Sequence, residues 1–173
     1  ILRLLFIVSL ILVFARPVTK GFIPGWFAAE QDATLVIILD NSASMTATRN
    51  GKSFLDISKN EVMTLLPNFK KETQIIISQT CPPKIVFKGI NISSDIRNSI
   101  KYIEPTNDYD NLWESINNVI LDEDIDGVIK ECVVFSDFMH FPDSSFIKHS
   151  EDRNNWKFYF MKYGKMENNL GVT

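Results

Sequence analysis

The sequence predicts an α/β protein: a doubly wound, mostly parallel sheet with one antiparallel edge strand, preceded by a transmembrane helix. Three observations carry that prediction. From Ala33 onward, apolar runs of strand length alternate with segments of helical period. Several of these runs are apolar without alternation, as in strands covered on both faces. Ahead of them stands a separate and far more apolar block, Ile1 to Val18.

That block, "ILRLLFIVSLILVFARPV", has twelve consecutive residues between Arg3 and Arg16 with only Ser9 polar. Twelve helical residues cover only ~18 Å of a ~30 Å bilayer core. The block is therefore expected to be the end of a longer span, with Arg3 snorkelling. A buried core helix, a signal-peptide apolar region and an interfacial helix are the competing readings. Arg16-Pro17 follows the apolar run where small residues would mark a cleavage site, and no polar stripe runs along it. Residues 1–18 are assigned as a truncated membrane anchor. Residues 19–32, which mix Gly21, Pro24 and Gly25 with Phe22, Trp26 and Phe27, form a juxtamembrane linker. Residues 33–173 form the folded domain, expected to continue beyond Thr173.

Within that domain "TLVIILD" reads as a buried strand. "SFLDISKNEVMTLLPNF" follows, with Leu55, Val62, Leu65, Leu66 and Phe69 near helical period and Ser53 as a cap. "ETQIIISQT" is a second buried strand, and "CPPKIVFKGI" a turn with a neighbouring edge strand, since prolines are tolerated at strand beginnings. "SDIRNSIKYIEP" spaces Ile96, Ile100 and Ile103 as a short helix ending before Pro105. "NLWESINNVILDED" sets Leu112, Ile116, Val119 and Ile120 on one face. "VIKECVVFSD" is a buried strand ending in an aspartate, and "NWKFYFMKY" an alternating one.

Composition narrows function. A formal net charge of −3 gives no reason to expect nucleic acid. Cys81 and Cys132 lack metal-ligand spacing, and the strand layout puts them at opposite edges of the sheet, so two free thiols are expected.

In doubly wound sheets ligands bind beyond the carboxyl ends of the strands. Asp40 and Asp137 both stand at such ends. Asp40, Ser42 and Ser44 place three oxygen-bearing side chains within five residues of a strand-to-helix loop. Carboxylate and hydroxyl oxygens are hard ligands, suited to Mg²⁺ first, with Mn²⁺ or Ca²⁺ as alternatives. The serines could touch the ion directly while Asp40 holds a coordinated water and orients a serine. The competing reading is a turn that satisfies its own backbone.

"DNSASM" resembles the DxSxS metal-ion-dependent adhesion motif of von Willebrand factor A (VWA) domains, including Met45. The resemblance implies a VWA/Rossmann-like fold and two further site elements. "VVFSD" supplies the aspartate that ends a later strand as Asp137. The family's threonine before a helix is not matched. Aligning "DNLWESI" with that element puts Asp110 at its position, and Thr106, four residues upstream, is the alternative. Asp110 or Asn111 could equally be a plain helix cap, with Glu114 completing a capping box.

"FARPV" before a linker and "LDNSASM" further resembles the membrane-anchored Bat (Bacteroides aerotolerance) group. That resemblance implies a bacterial inner-membrane protein with its A domain on the periplasmic side. It implies a non-enzymatic binding role, and partners that include other Bat-type proteins and a MoxR-type ATPase system. The partner would present an acidic group to the metal.

Three motifs are set aside. "DEDIDG", Asp122 to Gly127, imitates an EF-hand loop, but Val133 stands where a bidentate glutamate is needed. His140 and His149 lack convergent spacing, and "NIS" at Asn91 matches a glycosylation acceptor that carries no meaning in a bacterial periplasm. The rival function is a Mg²⁺-dependent phosphatase of the haloacid dehalogenase type, with Asp40 as nucleophile and Asp137 on the metal. That chemistry wants a second aspartate two residues on, and Ser42 stands there.

Overall fold

The structure is a computed structural model that describes residues 33–91, 94–108, 112–120, 129–139 and 156–164. The anchor and linker at residues 1–32, the "DEDIDG" segment, Asp110, Asn111, His140 and His149 lie outside the described residues. Among the described residues no helix is long and apolar enough to cross a membrane.

The first strand, β1 (Ala33–Leu39), is buried along its whole length. It therefore sits at the centre of the sheet, where both of its faces and both of its edges are covered. A two-strand hairpin, β2 (Thr48–Arg49) and β3 (Lys52–Ser53), leads into helix α1 (Phe54–Leu65). Asn50 and Gly51 at its tip both take positive φ, which Asn and Gly tolerate best. Ser53 caps α1 by accepting the Asp56 amide at 3.0 Å. Pro67 cannot continue an α-helix, and the chain tightens into a 3₁₀ turn over Leu66–Asn68. Strand β4 (Gln74–Thr80) and strand β5 (Pro83–Ile90) follow as an antiparallel pair. Then come helices α2 (Asp95–Lys101) and α3 (Leu112–Ile120), and strands β6 (Ile129–Ser136) and β7 (Trp156–Lys162).

The sheet order is β5-β4-β1-β6-β7, with only β5 antiparallel. This matches the expected mostly parallel sheet with one antiparallel edge. The strands predict their own faces, because alternate residues of a strand point to opposite sides. Leu35, Ile37 and Leu39 join Ile75, Ile77, Val133 and Phe135 under α1 and α2. Val36 and Ile38 join Ile76, Cys132 and Val134 under Leu112, Ile116 and Val119 of α3. The chain leaves β1 for β4 on one side, and later returns to β6 on the other. The strand order thus reverses at the carboxyl ends of β1 and β6, where such sheets leave a crevice.

Both cysteines are free and buried. The expected thiols are present, but neither marks a sheet edge: Cys132 lies inside β6 paired with Val36, and Cys81 lies just past β4. Burial pushes the Cys132 thiol far up, which keeps it protonated and unreactive in the folded chain. Asn91 has a structural role. Its side-chain amide donates to the carbonyls of Leu66, Phe69 and Lys70, so it closes the end of the α1 segment.

Tyr163, just after β7, stacks between Phe54 and Phe135 and donates its hydroxyl to Glu61 of α1. Burial, followed by the Glu61 hydrogen bond and charge, pushes its phenol well above the ordinary value. A raised folded value makes the contribution of Tyr163 complete below the unfolded value of about 10, and lost as pH rises through the folded one. Tyr163→Phe is accordingly expected to cost about 1 kcal/mol at pH 8 through the lost hydrogen bond. That deficit should shrink as melting is repeated toward pH 11.5. A deficit that stays constant with pH would show that the Tyr163 proton is not linked to folding.

Candidate functional site

The carboxyl ends of three adjacent parallel strands each carry polar side chains: Thr80 on β4, Asp40 after β1, and Ser136 on β6 with Asp137 just after it. Their juxtaposition follows from register, since Leu39 pairs with both Gln79 and Phe135. The residues following these three partners therefore emerge side by side at one end of the sheet.

Asp40 is fully buried. Its Oδ1 accepts the Ser42 amide at 2.9 Å and the Thr80 hydroxyl at 3.2 Å. Its Oδ2 accepts the Ser136 hydroxyl at 2.6 Å. Ser136 in turn accepts the Phe138 amide at 2.9 Å, which orients its proton toward Asp40. Both oxygens of Asp40 are thus held by donors from three segments. The Asp40–Ser42 bond also makes the loop a turn that satisfies its own backbone, as the simpler reading of the motif requires.

Beyond Asp40 the chain makes a short 3₁₀ turn, Ala43–Thr46, seated by Met45, which is completely buried. The turn aims two serines at one point, and Ser42 Oγ lies 3.1 Å from Ser44 Oγ. Asp137 closes the group by accepting a hydrogen bond from the Ser44 side chain, while its Oδ1 accepts the Met139 amide at 3.3 Å. Burial pushes the Asp137 carboxyl above its ordinary value. The Ser44 hydroxyl opposes that, and the Asp40 charge adds to it. The result is a half-buried carboxylate beside two hydroxyls and a second carboxylate.

The structure therefore brings together Asp40, Ser42, Ser44 and Asp137, four of the residues singled out from sequence. Thr106 arrives beside them: its amide donates to the Asn41 carbonyl at 2.9 Å, and its Oγ1 accepts the Asp108 amide at 3.4 Å. Among the described residues no three His, Cys, Asp or Glu side chains group as a metal site. Any cation here would rest on hydroxyls as much as on carboxylates.

Sequence reasoning missed three members, Asn41, Thr80 and Ser136. Asn41 is the most connected of them. Its Oδ1 accepts the Cys81 amide at 2.7 Å and the Thr80 amide at 3.2 Å. Its Nδ2 donates to the carbonyls of Cys81 at 2.7 Å and Glu104 at 3.0 Å. One side chain thus ties the DxSxS loop to the end of β4 and to the segment carrying Thr106. Only Ser136 carried a local signal, as a polar residue directly after the apolar run Val133–Phe135.

No protein-family profile and no curated protein matches this chain. Solved structures do resemble it. One is the conserved hypothetical protein BatB from Bacteroides thetaiotaomicron, with a TM-score of 0.64 at 14% identity, over 76% of this chain and 66% of that one. Another is proximal thread matrix protein 1 from the mussel byssus, with a TM-score of 0.60 at 16% identity, over 80% of this chain and 37% of that one. The chain spans about two thirds of BatB and little more than a third of the mussel protein. At these identities the likeness is one of fold, and the fold is BatB-like.

Proposed function

We propose that this chain is a membrane-anchored, non-enzymatic binding module of the VWA type that uses a divalent cation to engage an acidic group on a partner protein. The observation that carries the reading is the meeting of Ser42, Ser44 and Asp137 at the carboxyl ends of β1 and β6, with Asp40 clamped behind them.

The donor set fits a hard divalent ion. Adjacent oxygens around octahedral Mg²⁺ stand about 3 Å apart when metal–oxygen bonds are about 2.1 Å, whereas Ca²⁺ spreads them further. The 3.1 Å between the two serine hydroxyls suits the smaller ion. Ser42, Ser44 and Asp137 would hold the cation. Asp40, whose oxygens are already engaged, would orient Ser42 and accept from a coordinated water. When bound, the ion supplies a coordination position for an incoming carboxylate. Thr106 or Asp110 would complete the far wall. Residues 1–18 would anchor the module in the inner membrane with the domain on the periplasmic side. The BatB-like fold is compatible with a place among Bat-type proteins, and the sequence resemblance alone suggests those proteins and a MoxR-type ATPase as candidate partners.

The phosphatase alternative is less well supported. A nucleophilic aspartate needs an accessible oxygen, and Asp40 is 0% exposed with both oxygens accepting hydrogen bonds.

The test is a titration of Mg²⁺ or Mn²⁺ into the chain, read by calorimetry and by thermal melting. Binding is expected in the parent and absent in Ser42→Ala/Ser44→Ala. Thr106→Val and Asp110→Asn, titrated separately, identify the residue of the far wall. Unchanged affinity in the double serine variant would refute the site, and phosphatase turnover lost in Asp40→Asn would transfer the assignment to the enzyme.

A further inference from the structure

Just past the end of β6, one residue takes a backbone conformation that its side chain disfavours. Phe138 has a φ of 51°, in the left-handed region where glycine and asparagine are at ease and a bulky side chain is not. Two consecutive amides bond back to the residues before them through that turn. The Phe138 amide donates to Ser136 Oγ at 2.9 Å, and the Ser136 hydroxyl donates to Asp40 Oδ2 at 2.6 Å. The Met139 amide donates to Asp137 Oδ1 at 3.3 Å. Rotation about the N–Cα bond of Phe138 swings everything that follows it. A return to negative φ would therefore carry the Met139 amide away from Asp137 and take a donor from that carboxylate.

A conformation of this kind persists only where the surroundings hold it. Here the ring is what they hold. Phe138 packs edge-on against Phe160 of β7, with centroids 5.7 Å apart at 77°, and lies against the core beneath α3. Phe160 is braced by Phe158, stacked at 6.2 Å, and Phe158 by Trp156 at 6.0 Å. The end of β7 is tied to the same turn, because the Tyr163 amide donates to the Ser136 carbonyl at 3.1 Å.

We infer that Phe138 is a positioning residue for the cation site proposed above, a role that rests on that reading: docked on Phe160, its ring keeps the left-handed turn that directs Asp137 toward Ser44. Phe138 acts only through Asp137, which accepts from the Ser44 side chain on one side and from the Met139 amide on the other. Two substitutions separate backbone from packing. Glycine takes the same φ without a side-chain penalty but loses the dock, whereas alanine loses the dock and keeps the penalty.

Two measurements on the full chain test this: Mg²⁺ titration by calorimetry, and amide exchange of isotope-labelled methionine by NMR in EDTA. Phe160→Ala, a change at a side chain 48% exposed, should weaken Mg²⁺ binding about tenfold. Phe138→Ala should lose as much, and Phe138→Gly only about threefold, since its backbone keeps the turn. In the Phe138→Gly background, Phe160→Ala should add no further loss, because no ring remains to dock. Without any cation, the Met139 amide should exchange several-fold faster in Phe160→Ala and Phe138→Ala than in the parent. Phe160→Leu serves as a second variant if Phe160→Ala melts early. Equal losses in Phe138→Ala and Phe138→Gly would overturn the proposal. So would a lowered melting temperature in Phe160→Ala with Mg²⁺ affinity and Met139 exchange both unchanged, which would leave the ring contact as packing alone. A parent that binds no Mg²⁺ refutes the cation reading by itself. Met139 exchange then decides whether Phe138 holds Asp137, an unchanged rate overturning it.

Discussion

Asn41→Ala is expected to lower stability by about 2–4 kcal/mol, the largest effect of any single change at the site. Truncation leaves the Cys81 amide and carbonyl without their shortest partners, and Cys81 is fully buried. A buried backbone group left unsatisfied costs about 1–3 kcal/mol, and the Glu104 carbonyl loses a donor as well. Asn41→Asp is the sharper probe. It preserves shape and the acceptor facing Cys81, but turns two donated bonds into carboxylate–carbonyl repulsions. Chemical denaturation should therefore show both variants less stable at an unchanged slope. A loss under 1 kcal/mol in Asn41→Ala would mean that the strand ends hold their places without this clamp.

The second large effect has two opposite signs. Asp137→Asn removes a half-buried negative charge that lies close to Asp40. Without divalent ions the variant should be more stable than the parent, by under about 1 kcal/mol once solvent screening is allowed for. With Mg²⁺ at about 100 times its dissociation constant, the parent should gain about 2.7 kcal/mol by linkage and the variant almost nothing. The ranking of melting temperatures should therefore reverse between EDTA and Mg²⁺. Parallel shifts of the two proteins would remove Asp137 from the proposed cation site.

Hydrophobic pattern made the fold legible before any coordinates. An apolar run with no alternation, as in Leu35 to Leu39, has to be covered on both faces, and it is the central strand. The helical spacing of Leu55, Val62 and Leu65 leaves one face to bury, and all three are buried. Pro82 and Pro83 kept the fifth strand from a central place, and it is an edge. These are local signals, read within a few residues of each other.

The site was legible only in part, for a physical reason. Ser42 and Ser44 are close because a short turn makes them so, and Asp40 is two residues from the amide it binds. Asp40 and Ser136 are 96 positions apart in the chain, and Asn41 and Glu104 are 63. Those contacts exist because β1 pairs with β4 on one side and β6 on the other, in a register that no window of sequence contains. Expecting Asp137 opposite Asp40 required only that both end parallel strands. The donors that hold Asp40, and the amide of Asn41 that joins three segments, required the strands to be placed.

The amino-acid sequence by itself determined the alternation of strands and helices, the lone antiparallel edge and the DxSxS turn, because periodicity and turn chemistry act over short stretches. Tertiary structure alone decided that Asp40 is locked behind the serines and that Thr106 is drawn to the loop through Asn41. Each of these depends on groups far apart along the chain, which only packing brings within reach of one another.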